Sequence, residues 1–196
     1  MSEPVEPSAG DALLLVDIQN DFLPGGSLAV PDGDAIIAPA NACIRAFARR
    51  ALPIVATRDW HPPDHCSFQA QGGPWPPHCV AGTTGAEFSP ALELPASVIV
   101  VSKATSSEAD AYSGFQGTDL ESRLRGLGVR RVFVCGLATD YCVASTVADA
   151  LASGFETVVV EDAIRAVDVE PGDGERAKGR MCESGARMIG SSDIAP

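Results

Sequence analysis

The sequence predicts an α/β fold: a three-layer domain whose central, mostly parallel sheet of about six strands carries helices on both faces. Three observations lead there. Short runs almost continuous in hydrophobic residues recur along the chain, which is how parallel strands buried on both faces read. Between them lie segments whose apolar residues repeat at helical spacing, and strands alternating with helices build a parallel sheet through right-handed crossovers. At 196 residues the chain is long enough for one sizeable core, and nothing in it forces a second.

Residues 1–10, "MSEPVEPSAG", combine Pro, Ser and acid and are expected to form a flexible tail, with a single domain over 11–196. "ALLLV" (12–16) is the first strand, and Asp34 to Arg50 the first helix, with Ile36, Ile37, Ala40, Ile44 and Phe47 on one face. "PIVAT" (53–57) and "SVIVV" (97–101) are the second and third strands. Asp119 to Leu127 reads as a helix, "RVFVC" (131–135) as the fourth strand, and Asp140 to Ser153 as a helix with Val143, Val147, Ala150 and Leu151 in phase. "TVVVE" (157–161), a helix over Gly174 to Ala186 and a short strand in "RMIG" complete the order. One connection is anomalous. The segment from Asp59 to about Pro95 is rich in Pro, Gly, His and Trp and has little periodicity, and loops beyond about 12–15 residues are usually functional or disordered. Trp60, Phe68, Trp75 and Phe88 argue for an ordered, functional loop.

Lys and Arg number 14 against 26 Asp and Glu, a formal charge of -12. That excludes a basic surface for nucleic acid or anionic membrane and favours a small-molecule partner. The six cysteines contain no CxxC pair, and a chain of this size needs no disulfide staples. The N-terminus lacks the basic start and apolar run of a signal peptide, and no apolar stretch reaches membrane-spanning length. A cytoplasmic protein is expected, with a homo-oligomer left open.

In an open parallel sheet, ligands bind beyond the carboxyl ends of the strands. Asp17, Asp59, Lys103 and Cys142 all lie there. Cys142 falls where a strand gives way to a helix, and a helix N-terminus favours the thiolate; the alternative is a buried, inert cysteine. The three histidines, His61, His65 and His78, all sit in the long loop and none follows a strand. In "RDWH", Asp59 and His61 are two apart, so an extended chain points both the same way, and His78 can return from the loop to complete a metal site. The alternative is a solvated loop. With the histidines on a metal, Asp17 remains to take the thiol proton and Lys103 to hold the resulting charge; singly, either could be a solvated strand end.

The stretches "LLVDIQNDFLPGGSLAV" (14–30), "TRDWHPPDHCSF" (57–68), "GGPWPPHCVAGTTGAEF" (72–88), "SKATSSEADAYSGFQGTDL" (102–120) and "VCGLATDYCVASTVADAL" (134–151) occur in this order over nearly the whole chain. Together they resemble the nicotinamidases, with their pyrazinamide-cleaving variants, of the isochorismatase-like cysteine hydrolase superfamily. The resemblance implies that Cys142 is the nucleophile, Asp17 the general acid and base, and Lys103 the charge-stabilising third member. It implies metal ligation by Asp59, His61 and His78, with His65 close to the metal or bound to it through water, in a loop spanning about 59–95. One divalent ion is implied, zinc first, with iron or manganese as alternatives. Phe22 and Trp75 resemble the aromatic walls around a pyridine ring, Tyr112 and Leu137 further substrate-binding residues. A cis peptide between Leu137 and Ala138 would aim the Ala138 N–H, with that of Cys142, into an oxyanion hole. The implied activity is hydrolysis of nicotinamide to nicotinate and ammonia through a cysteine thioester, a step of pyridine nucleotide salvage. Ala104 stands where many relatives have Gly, which leaves the three catalytic residues in place. Another amide hydrolase of the superfamily is the alternative, argued against by the metal loop; a silent ligand-binding module is argued against by the intact Asp17, Lys103 and Cys142.

Overall fold

The computed structural model describes residues 5–195. Its strands are β1 (Asp11–Val16), β2 (Ile54–Asp59), β3 (Ile99–Lys103), β4 (Arg131–Leu137), β5 (Glu156–Arg165) and β6 (Arg187–Ile189). They form one sheet in the order β3-β2-β1-β4-β5-β6. Every neighbouring pair is parallel, so the sheet is wholly rather than mostly parallel. From β1 the chain winds outward to β3, then crosses to β4 and winds to β6. The crevice between β1 and β4 is thus the switch point at which such sheets bind ligands.

All six residues of β1 are buried, because side chains alternate between two covered faces. Leu13, Leu15, Phe133 and Cys135 pack beneath α1 (Ile37–Arg49), where Phe47 meets Phe133 edge-on with ring centroids 5.2 Å apart. Leu14, Val16, Val132 and Val134 face the other layer, built from α2 (Leu120–Gly126), α3 (Ala144–Ala152) and α4 (Asp173–Glu183).

Several boundaries move, each for a reason of pairing. β2 and β3 run on to Asp59 and Lys103, which are paired across the two strands although both are charged. β5 extends past exposed Glu161 and Asp162 to rejoin β4 after a register shift between Val134 and Gly136. At Gly136 the chain approaches β1 so closely that a Cβ would stand 2.0 Å from the Val16 carbonyl oxygen. The helix expected from Asp140 opens instead with a π-helical turn, Thr139–Val143, ahead of α3.

The flexible-tail expectation fails for residues 5–10. Val5 is buried among core side chains and pairs with Ile194, its N–H donating to the Asp193 carbonyl at 2.6 Å. Residues 1–4 of that expected tail lie outside the described residues. Among the described residues no helix is long and apolar enough to cross a membrane.

Candidate active site

Four side chains meet at the carboxyl end of the sheet. β1 ends at Val16, and Asp17 leaves it in the left-handed region with φ of 50°. Its Oδ1 accepts a hydrogen bond from Thr57 Oγ1 at 2.7 Å, and its Oδ2 lies 3.0 Å from Lys103 Nζ. The Lys103 ammonium also donates to Asp59 Oδ1 and, at 3.0 Å, to the Ala111 carbonyl. Cys142 Sγ stands 3.5 Å from the same ammonium. Asp17, Asp59 and Lys103 come from the ends of three strands and Cys142 from the π turn after the fourth, so the sheet itself gathers them.

Their electrostatics follow from burial beside one cation. Burial pushes the Asp17 carboxyl up and Asp59 pushes it further, against the pull of Lys103. For Asp59, burial acts upward too, but the Lys103 ammonium outweighs it and holds the carboxyl below its usual range. Burial would lower Lys103, yet Asp17 and Asp59 keep it protonated well above the ordinary lysine value. Burial raises the Cys142 thiol most; Lys103 opposes, while Asp17 and Asp59 reinforce. Burial and the two carboxylates thus favour the thiol over the thiolate that its helix position suggested. Burial, reinforced by two carboxylates, outweighs a helix dipole worth about 0.3–1 kcal/mol at its terminus.

Beside this centre lie Asp59, His61 and His78. The loop folds back on itself: the His61 N–H donates to the Cys79 carbonyl at 3.0 Å, and the Ala81 N–H to the His61 carbonyl at 2.8 Å. One ligand atom from each of the three side chains lies within 4.8 Å of the others. His61 Nδ1 faces the Ala104 carbonyl at 3.1 Å and His78 Nδ1 the Pro76 carbonyl at 2.8 Å. A carbonyl only accepts, so both Nδ1 atoms carry the proton and both Nε2 atoms offer lone pairs, the orientation that metal-binding histidines adopt. Burial also favours the neutral His78 ring. His61 Nε2 is buried without a hydrogen-bond partner among the described residues. An orphaned lone pair beside a carboxylate and a second imidazole fits a divalent cation.

His65 does not join them. Its Nδ1 faces Ser67 Oγ at 2.7 Å and its Nε2 the Ala109 carbonyl at 3.3 Å, which occupies both nitrogens. The ring instead stacks on His61 at a centroid distance of 4.1 Å. The ring is thus close to the three ligands, as one of the two expected arrangements has it, while Ser67 and Ala109 take its nitrogens.

A cleft partly open to solvent reaches Asp59, His78 and Cys142. Phe22, Trp75 and Tyr112 line it as the sequence suggested. Leu137 does not: its side chain is fully buried in the core beneath α1, because the cleft is offered Ala138 after the cis Leu137–Ala138 bond. The sequence reading missed Tyr141, Leu28, Val30 and Val167, which also line the cleft. Tyr141 joins Trp75 and Tyr112, with centroids 5.3 and 5.7 Å away, and the Trp75 indole N–H donates to the Tyr112 hydroxyl at 3.2 Å. The one available signal was an aromatic directly before Cys142.

Comparison with known proteins agrees with this geometry. The isochorismatase domain pattern matches residues 11–193. The nicotinamidase of Escherichia coli is 39% identical, aligned over 93% of this chain and 95% of its own. The crystal structure of pyrazinamidase of Pyrococcus horikoshii in complex with zinc superposes with a TM-score of 0.89 at 50% identity, covering 92% of this chain and 99% of that one. A protein from L. infantum in complex with nicotinate gives a TM-score of 0.90 at 39% identity, covering 98% of both chains.

Proposed function

The chain belongs to the isochorismatase family, and from that premise we propose that it is an amidohydrolase cleaving nicotinamide, and pyrazinamide, to the aromatic acid and ammonia. The observation that carries this reading is the meeting of Cys142, Asp17 and Lys103 at the base of an aromatic cleft that Asp59 and His78 also reach.

Asp17 takes the proton of the Cys142 thiol, both groups standing against the Lys103 ammonium, at 3.0 and 3.5 Å. Its carboxyl, raised by burial, is better matched to proton transfer near neutrality than an ordinary aspartate. Lys103 remains an ammonium and compensates the charge as Sγ attacks the amide carbon. The backbone N–H groups of Ala138 and Cys142 are assigned to the developing oxyanion, a contribution of about 3 kcal/mol per donor. Asp17 returns the proton to the leaving ammonia, then takes one from the water that opens the thioester. The acid departs and Cys142 regains its proton. Phe22, Trp75 and Tyr112 hold the ring, with Tyr141 beside them. A divalent ion on Asp59, His61 and His78, zinc first and iron or manganese as alternatives, would supply a Lewis acid for the ring nitrogen.

The six cysteines are all free, which suits a reducing cytoplasm, and the charge of -12 suits a small-molecule substrate rather than a polyanion. The test is ammonia release from nicotinamide by zinc-loaded protein, with nicotinate formed in equal amount. Zinc-loaded protein with a free Cys142 thiol that releases no ammonia would overturn the reading.

A further inference from the structure

β1 stops at Val16, whose partner on β2 is Thr57, so the peptide groups of Asp59 that face β1 have no strand beside them. Buried main-chain groups must find other partners. Gln19 supplies them. Its side chain is fully buried; Oε1 accepts the Asp59 N–H at 2.8 Å, while Nε2 donates to the Asp59 carbonyl at 2.8 Å and to the Ala86 carbonyl at 2.9 Å. A primary amide can stand in for a strand in this way, because it carries an acceptor oxygen and donor N–H groups on one planar unit, as a peptide does.

Two residues on, Asp21 does the same for the other arm of the loop. Its Oδ2 accepts the Cys79 N–H at 2.7 Å, and its Oδ1 the Ser27 N–H at 3.2 Å. That Cys79 N–H belongs to the peptide linking it to His78, and Cys79 itself sits in the left-handed region with φ of 45°, a conformation that a non-glycine residue keeps only when its surroundings hold it. The loop makes room for the carboxylate: a Cβ on Gly85 would stand 2.2 Å from Asp21 Oδ2.

We infer that Gln19 and Asp21 are positioning residues that set the Asp59 and His78 ligands in place before a metal arrives, Gln19 through both peptide groups of Asp59 and Asp21 through the His78–Cys79 peptide. This rests on the metal reading above. It does more than anchor a loop, since both side chains bond a peptide group of a ligand as well as the neighbouring loop; Asn20, between them, holds the same loop through the Thr84 carbonyl at 2.8 Å and touches no ligand.

The experiment measures the zinc dissociation constant by chelator competition, and the thermal midpoint of the metal-free form, for the wild type and for Gln19→Met, Asp21→Ala, Asp21→Asn and Asn20→Ala. Gln19→Met and Asp21→Ala are expected to weaken zinc by about 10- to 100-fold, the usual effect of losing an outer partner of a metal ligand. Asp21→Asn keeps an oxygen acceptor for the Cys79 N–H and should stay close to wild type, as should Asn20→Ala. Variants that melt earlier but bind zinc as tightly as wild type would reduce Gln19 and Asp21 to structural anchors and overturn the inference. Should Gln19→Met not fold, Asp21→Ala, at a partly exposed position, decides alone. A folded wild type that binds no zinc would instead overturn the metal reading, and this inference with it.

Discussion

Lys103 Nζ and Cys142 Sγ stand 3.5 Å apart, with the carboxylates of Asp17 and Asp59 on the same ammonium. This lysine is therefore the cation that makes a buried thiolate attainable. Lys103→Met should push the Cys142 thiol further up, since it removes the nearby cation that pulls it down. Alkylation of Cys142 by iodoacetamide at neutral pH, followed by peptide mass spectrometry, should slow. The metal-free protein should also lose about 3–5 kcal/mol of stability, the cost of leaving buried carboxylates without their partner. An unchanged alkylation rate would remove Lys103 from the charge network.

Cys142→Ala should abolish turnover without altering the fold, whereas Cys182→Ala, at an exposed position, should leave it intact. Cys43→Ala makes a sharper control. Its thiol is buried beside the sheet and pushed up to about 12, so it is inert at neutral pH although as hidden as Cys142. Its removal should cost stability but little activity. Turnover that persists in Cys142→Ala would sink the nucleophile assignment.

Asp17 is held by Thr57, whose hydroxyl lowers the carboxyl against the upward push of burial. Thr57→Val keeps the shape and deletes the donor. The Asp17 carboxyl should then rise, so the acid limb of the pH profile of kcat/KM should move to higher pH. Asp17→Asn should lower kcat by at least about 10²-fold, as losing a general base does. An acid limb that does not move in Thr57→Val would mean that another group sets it.

Much of this arrangement was legible in the sequence because strands buried on both faces announce themselves as apolar runs, and because the residue types at their ends carry chemistry. The strand ends themselves were less so. Asp59 and Lys103 continue the pairing of β2 and β3 through charged side chains, which no hydrophobic run can mark. The π turn adds a residue to the helical phase, and the Tyr141 that lines the cleft beside Cys142 escaped a reading made at α-helical spacing. The long loop has no period at all. It is ordered by side-chain to backbone bonds from Gln19 and Asp21, contacts 40 and 58 residues apart in sequence. His65 shows the same limit: a histidine among ligands turns out to back one of them, since only the fold reveals that Ser67 and Ala109 take both its nitrogens.

The Trp75–Tyr112 hydrogen bond joins two cleft residues across 37 positions of sequence. Tyr112→Phe keeps the ring and removes the acceptor, which should loosen the indole. KM for nicotinamide should rise about 2- to 10-fold, the effect of losing about 0.5–1.5 kcal/mol of hydrogen bonding, with kcat nearly unchanged. A fall in kcat at constant KM would place the pair in the chemical step rather than in substrate holding.

The strongest discrimination should come from the ring nitrogen. Asp59, His61 and His78 present one carboxylate and two imidazole Nε2 atoms, one of them an orphaned buried lone pair, at the cleft that holds the aromatic walls. Benzamide offers those walls the same ring and offers Cys142 the same amide, but puts C–H where nicotinamide and pyrazinamide have nitrogen. A site built to engage a polar atom can reject the analogue lacking it by as much as about 10⁴-fold, whereas an apolar pocket would scarcely tell them apart. Zinc-loaded protein should therefore cleave nicotinamide and pyrazinamide and leave benzamide essentially intact. Chelation, or His78→Ala, should remove most of the nicotinamide activity while far-ultraviolet circular dichroism stays unchanged, because the sheet and its helices do not depend on the loop's ligands. The measurement is the ratio of kcat/KM for nicotinamide to that for benzamide, before and after chelation. A ratio near one in the zinc-loaded protein would assign the three ligands a structural part only and make the cleft a general amide site.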